Sequence, residues 1–252
     1  DKRYTSGNKR SRWEALIDDE CSSDSEDNES LNSHTKSFLK EQQQQIILNQ
    51  TRGKLEKLGL LYDCPIFSYL PMYCQVITGA TLSLLKFLRK DLRTIAINWD
   101  GGRHHSFKSR ASGFCYINDI VLAIQKLRRN FSNISYVDFD LHHGDGVERA
   151  FQYSKNVQTI SLHNHEPGFF PGTGSMESSQ DGHSIINIPL RHGADDDCLM
   201  KITESVVIPC IQKHGPQVIV IQCGGDGLIG DKYEEWQLTI RGLASSILKI
   251  LS

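Results

Sequence analysis

The chain has 252 residues, of which 38% are apolar, and its 28 basic and 30 acidic side chains leave a formal net charge of −2. That length suffices for one large α/β domain or two small ones, and the charge balance excludes a nucleic-acid binder working by bulk electrostatics. The seven cysteines, Cys21, Cys64, Cys74, Cys115, Cys198, Cys210 and Cys223, are odd in number, widely spaced and without a CxxC pair; this argues against a disulfide framework or a Cys-rich zinc module and fits a reducing compartment.

Residues 1–50 open with Lys2, Arg3, Lys9, Arg10 and Arg12, pass through an acidic Ser-rich stretch at 18–30 and reach a Gln run at 42–45. Such composition buries little apolar surface and predicts disorder. The basic start reads either as a nuclear address or as a solvated tail. No apolar run approaches the ~20 residues of a membrane-spanning helix, and no signal peptide is visible.

From about Leu60 short β-branched runs alternate with helical ones. The apolar spacing predicts helices over 73–89, 118–129, 197–213 and 235–251. Strands are predicted over 94–98, 134–139, 157–162, 185–189 and 218–222. Alternating strands and helices imply an α/β fold, a mostly parallel open sheet between two helical layers. In such sheets ligands bind beyond the carboxyl ends of the strands. Those ends here carry WDGGRHH, VDFDLHHGDG, HNHEPGFFPGTG and CGGDGLIGD.

Asp138, Asp140 and His142 lie two residues apart, so in extended backbone they project to one side. Crowded carboxylates repel one another unless a cation neutralises them. Asp226 ends another strand among Gly224, Gly225 and Gly227. Asp140, His142 and Asp226 make a set of two Asp and one His that leaves a coordination position open, the pattern of a catalytic zinc site; Fe²⁺ or Co²⁺ would also suit it. The plainer reading is that the Asp residues cap loops and His142 is a satisfied polar group. His104 and His105 follow Gly101 and Gly102 and suit proton transfer, with Asp138 and Asp145 available to orient them. Phe169 and Phe170, between Pro167 and Pro171, suit either the wall of a narrow apolar slot or a packed loop anchor.

The ordered motifs GGRHH, ASGFCYIND, YVDFDLHHGDGVE, EPGFFPGTG and CGGDGLIGD resemble those of class I histone deacetylases, from about Leu61 to the C-terminus. The stretches YDCPIFSYLPMYCQVITGATL, INWDGGRHH and EEWQLTIRGL are most similar to the fungal HOS-one deacetylase branch. The resemblance implies a three-layer arginase/deacetylase-like fold, with residues 51–252 a partial catalytic domain lacking segments at both ends. It implies Zn²⁺, or Fe²⁺, at Asp140, His142 and Asp226. His104 and His105 would be the proton-transfer pair, and Asp138 and Asp145 their respective carboxylates. Phe114 and Phe170 would flank an acetyl-lysine tunnel with Gly113 at its wall, and Asp63 would hold the substrate backbone at the rim. A structural K⁺ or Na⁺ would sit at Asp138, Asp140, His142, Ser161 and Leu162; Phe151, Ser154 and Val157 resemble part of an outer site.

The implied activity is hydrolysis of acetyl-lysine amides in histone tails or another chromatin protein such as a cohesin subunit. Corepressor subunits are the implied partners, without direct nucleic-acid or membrane binding, in nucleus and/or cytoplasm. The family's catalytic Tyr follows a glycine run that would lie beyond Ser252, so a chain of residues 1–252 alone is expected to fold poorly and turn over little substrate. Two other readings are an inactive truncated deacetylase serving as a binding subunit and an acetylpolyamine amidohydrolase. Arg103 and Gly227 depart from the family, where a larger apolar residue and Ser or Thr are usual.

Overall fold

The computed structural model describes residues 33–88 and 93–252. The basic start, the acidic Ser-rich stretch and Cys21 lie outside them. The chain divides into Asp1–Gly53 and Lys54–Ser252. In the first part the chain is helical from Ser33, in α1 (Ser33–Lys57), where the composition predicted disorder up to residue 50. Leu, Lys, Glu and Gln are good helix formers. Residues 40–52 are all exposed, so their helix owes little to burial. No helix among the described residues is long and apolar enough to cross a membrane.

The second part is a four-stranded parallel sheet with helices on both faces. After α2 (Leu70–Leu84) and α3 (Asp119–Leu127) come β1 (Ile134–Asp138), α4 (Asp145–Phe151), β2 (Val157–Asn164), β3 (Ile185–Leu190), α5 (Asp196–Ile202), α6 (Ile208–His214), β4 (Val218–Gln222) and α7 (Ile240–Leu251). The order across the sheet is β3-β2-β1-β4. All residues of β1 and β2 are buried, as expected of strands covered on both faces. Ile134 and Tyr136 pack with Ile120, Ile124, Val147 and Phe151 on one side. Val137, Ile160 and Leu162 pack with Leu199, Val207, Ile211 and Trp236 on the other. Pro189 is tolerated because β3 is an edge strand.

The predicted strand at 94–98 is not one. It has no regular structure and forms no ladder among the described residues. Its Ile95 and Ile97 are 69% and 57% exposed. A β-branched run supplies propensity, and pairing needs a neighbour. The helix predicted over 73–89 instead occupies Leu70–Leu84, with Pro71 in its first turn. The one predicted over 197–213 is interrupted by a π-turn, Thr203–Val207, ahead of Pro209. Proline removes a backbone donor and crowds the carbonyl four residues back. The last helix begins at Ile240, capped by the Thr239 side chain, which accepts from Gly242 N. Residues 236–238 are instead drawn into the core as extended chain, with Trp236 and Leu238 buried.

Gly242 lies in the first turn of α7, where a β-carbon would strike the Asp196 carboxylate. That carboxylate is held by Thr239 N at 2.8 Å and Thr239 Oγ1 at 2.6 Å, so it cannot easily yield. Helix propensity alone would make Gly242→Ala stabilising by about 1 kcal/mol. The clash predicts a net loss of about 1–3 kcal/mol, read as a lower urea midpoint; a higher midpoint would contradict this packing.

Candidate metal centre and active site

The chain runs β1 to β2 to β3 on one side of β1 and then places β4 on the other. This reversal opens a crevice at the carboxyl ends of β1 and β4, where ligands bind in open α/β sheets. The register sets Asp138 level with Ser161 on β2 and Gln222 on β4. Residues 139–145 and 223–226 leave from these ends.

His142 Nδ1–H lies 2.8 Å from Asp226 Oδ2 and 3.2 Å from Asp140 Oδ1. One donor atom from each residue falls within 4.8 Å of the others. Leu141 N donates to Asp226 Oδ1 at 3.1 Å, and Gln222 Nε2 donates to Asp140 Oδ2 at 3.0 Å. A β-carbon at Gly224 would fall on Asp140 and within 2.7 Å of Asp226 Oδ1, so the glycine is what lets the two carboxylates approach. Burial raises the pKa of Asp226, and the neighbouring Asp140 charge adds to it. Against the pull of burial, Asp140 and Asp226 hold His142 up to about 9. Two carboxylates closing on one imidazole nitrogen, with a proton where a cation would sit, fit the donor chemistry of a divalent metal.

The histidine pair stands beside this set. His104 Nδ1–H donates to Asp138 Oδ2 and His105 Nδ1–H to Asp145 Oδ1, both at 2.8 Å. His104 Nε2 is 3.6 Å from Asp140 Oδ1. The rings are 3.9 Å apart. Burial works against the charged form of His104, but Asp138 and Asp140 outweigh it and hold the group up to about 10. Burial, with the charge of His104, lowers His105 despite its bond to Asp145. Two adjacent imidazoles are thus pushed to opposite sides of neutrality.

The loop carrying the pair is fastened from below in sequence. Asn118, the N-cap of α3, accepts from Val121 N and donates to His104 O at 3.1 Å and Ser106 O at 3.0 Å. Asp119 accepts from Gly102 N and Arg103 N. Neither residue was marked as part of the site in the sequence, although Asn before a helical run is a recognisable cap.

Phe170 meets the His105 ring edge-on at 4.9 Å, and Phe169 stacks on His142 at 5.0 Å. Both aromatics of the loop therefore contact site imidazoles. Gly113 and Phe114 have φ of +55° and +62°. A β-carbon at Gly113 would lie 2.5 Å from the His105 ring, so this glycine forms a wall, and Phe114 stands exposed beside it. Asp63 Oδ2 accepts from Gly113 N at 2.6 Å, which places the acid at the same wall. Tyr233, unmarked in the sequence, meets His142 edge-on at 5.4 Å. Gly227 is explained by Trp236, whose ring lies 2.7 Å from where its β-carbon would be.

The five oxygen-bearing residues expected to hold a monovalent cation also come together around the end of β1. Asp138 and Ser161 face each other across the ladder. The carbonyls of Asp140 and His142 accept no hydrogen bond among the described residues. Unsatisfied carbonyls beside a buried carboxylate fit an alkali cation. Ser154 Oγ, at the outer set, is buried without a partner.

The sequence matches the histone deacetylase domain over residues 4–252. It is 65% identical over 200 residues to histone deacetylase HOS1 of Saccharomyces cerevisiae, covering 79% of this chain and 43% of that protein. It is 43% identical over 196 residues to histone deacetylase 8 of Xenopus laevis, covering 77% and 60%. Against histone deacetylase 1 of Homo sapiens it is 41% identical over 203 residues, covering 79% and 42%. The chain thus spans about half the length of these relatives. On a match that runs nearly its whole length, the chain belongs to the histone deacetylase family.

Proposed function

We propose that this chain carries the catalytic machinery of a metal-dependent lysine deacetylase, which hydrolyses acetyl-lysine amides in histones or another chromatin protein. The observation that carries the reading is the pair of imidazole–carboxylate couples set against the Asp140, His142 and Asp226 cluster. The names of the relatives, all histone deacetylases, support the substrate class.

Asp140, His142 and Asp226 would hold Zn²⁺ or Fe²⁺, which supplies Lewis acidity and activates water. His105, kept neutral by burial, is the group suited to take a proton from water. His104 keeps its proton and puts positive charge where the amide oxygen turns negative. The split matches the pattern in which environment drives two titratable groups apart to divide acid and base work. Phe114, Phe170 and Gly113 would form an apolar slot for the uncharged alkyl chain. Asp63, at the exposed rim, would accept a hydrogen bond from the substrate backbone. K⁺ or Na⁺ at Asp138, Asp140, His142, Ser161 and Leu162 would bind the ends of β1 and β2 together. Corepressor-type subunits are the proposed partners, in nucleus and/or cytoplasm.

His105→Ala is expected to lower turnover of an acetyl-lysine peptide by about 10²–10⁴-fold with metal content unchanged; turnover within tenfold of wild type would remove His105 from the mechanism. Asp140→Ala is expected to lose the bound metal by elemental analysis, and unchanged content would contradict the ligand set. Because His142 is protonated below about 9, metal must displace that proton. Affinity should therefore rise with pH up to about 9, by about tenfold per unit for one proton released. Competition with a chromophoric chelator would read this, and a flat profile from pH 6 to 8 would refute it. Turnover of an acetylated polyamine in preference to the peptide would reassign the substrate.

A further inference from the structure

Two more imidazoles, His143 and His163, are buried with ring centroids 4.6 Å apart. His143 Nε2 lies 3.0 Å from Glu148 Oε2 and Nδ1 lies 2.8 Å from Thr173 Oγ1. A carboxylate only accepts, so Nε2 carries a hydrogen toward Glu148, while Nδ1 meets the Thr173 hydroxyl. His163 Nε2 lies 2.8 Å from Gly174 O, and Nδ1 lies 3.0 Å from Ser161 Oγ. The carbonyl again only accepts, so Nε2 is the donor. His163 is fully buried and neither of its partners is charged, so the ring is neutral and has a single hydrogen. Its Nδ1 must therefore accept from the Ser161 hydroxyl.

The same loop is thus gripped at two successive residues, Thr173 by one imidazole and Gly174 by the other. Gly174, at φ +88°, leaves no room for a β-carbon, which would fall 2.7 Å from His143 Cγ. Phe169 and Phe170 lie four residues before these anchors in the same loop.

We propose that His163 is a positioning residue that couples a monovalent cation at Ser161 to the loop bearing Phe169 and Phe170. The inference rests on the monovalent-cation site proposed above. The single hydroxyl hydrogen of Ser161 is committed to His163, so its oxygen presents only lone pairs to a cation. Its other contact, from Gly144 N, is long at 3.4 Å. A cation drawing on Ser161 Oγ polarises the O–H. That strengthens the bond to Nδ1 and, through the ring, the Nε2–H bond to Gly174 O, as hydrogen bonds in series reinforce one another. His143 makes no hydrogen bond to Ser161 and holds Thr173 by a contact separate from this relay.

The test uses the whole chain labelled with 4-fluorophenylalanine, its Phe169 and Phe170 signals assigned by replacing each with Leu. Potassium chloride is compared with choline chloride at equal ionic strength. In wild type, potassium should raise the melting temperature and move both ¹⁹F signals. In His163→Phe it should still raise the melting temperature but move the signals much less. Signals that move in His163→Phe as in wild type would overturn the coupling while leaving the cation site intact. No melting response in wild type would refute the cation site, and the coupling with it. Should His163→Phe fail to fold, ¹⁵N-histidine spectra of wild type decide. Potassium must shift the His163 Nε2–H resonance, and an unmoved resonance overturns the proposal.

Discussion

Asp138 takes a carboxylate to the centre of the sheet, with no exposure to solvent, and much of the surrounding structure serves to keep it there. Tyr136 Oη–H at 2.5 Å, His104 Nδ1–H at 2.8 Å and Asp140 N–H at 3.1 Å all donate to it. Gly144 has to be glycine, because a β-carbon would lie on Asp138 Oδ2. Removing one partner of a buried ion pair leaves a charge uncompensated, at a cost of about 3–5 kcal/mol. The central position of β1 makes this arrangement possible, since it brings β2 and β4 level with the carboxylate on either side.

The same residue joins two kinds of chemistry. Through His104 it raises an imidazole far above its usual range. Through the β1–β2 ladder it stands beside Ser161 and the unsatisfied carbonyls of the following turn. Anything bound among those oxygens therefore meets the charge that also governs the histidine pair. The two carboxylates of Asp140 and Asp226, one group further on, converge on His142, and the second cationic ring near them, His104, reaches Asp140 at 3.6 Å but is shared with Asp138, so the acids outnumber the cations. That imbalance is what makes a divalent cation the natural complement of the site.

Much of this was legible in the sequence because it was written locally. Asp138, Asp140 and His142 sit on one short run, and the glycines around Asp226 announced a close approach. The strands at 134–139, 157–162, 185–189 and 218–222 were legible for the same reason. Their β-branched runs, buried on both faces in β1 and β2 and half-buried in β3 and β4, need no distant partner to be recognised. The strand expected at 94–98 failed because the same signal says nothing of a pairing neighbour. Gln222, Tyr233 and Phe169 escaped notice as contacts because each meets Asp140 or His142 across 27 to 91 residues of sequence. Asn118 was read as part of a helix rather than as the anchor of a loop, since its second role depends on where the chain returns.

That second role of Asn118 has a consequence for how the protein ages. Its amide does what a carboxylate cannot: Oδ1 caps a helix while Nδ2 faces two carbonyl oxygens, His104 O and Ser106 O. Hydrolysis of that one amide to an acid would leave the cap intact and even favour it. It would also turn the donor into an acceptor pressed against two other acceptors, with Asp119 next in the chain. The helix would survive and the histidine loop would lose its fastening. A chemically aged molecule could therefore keep its helical content while its histidines drift out of register.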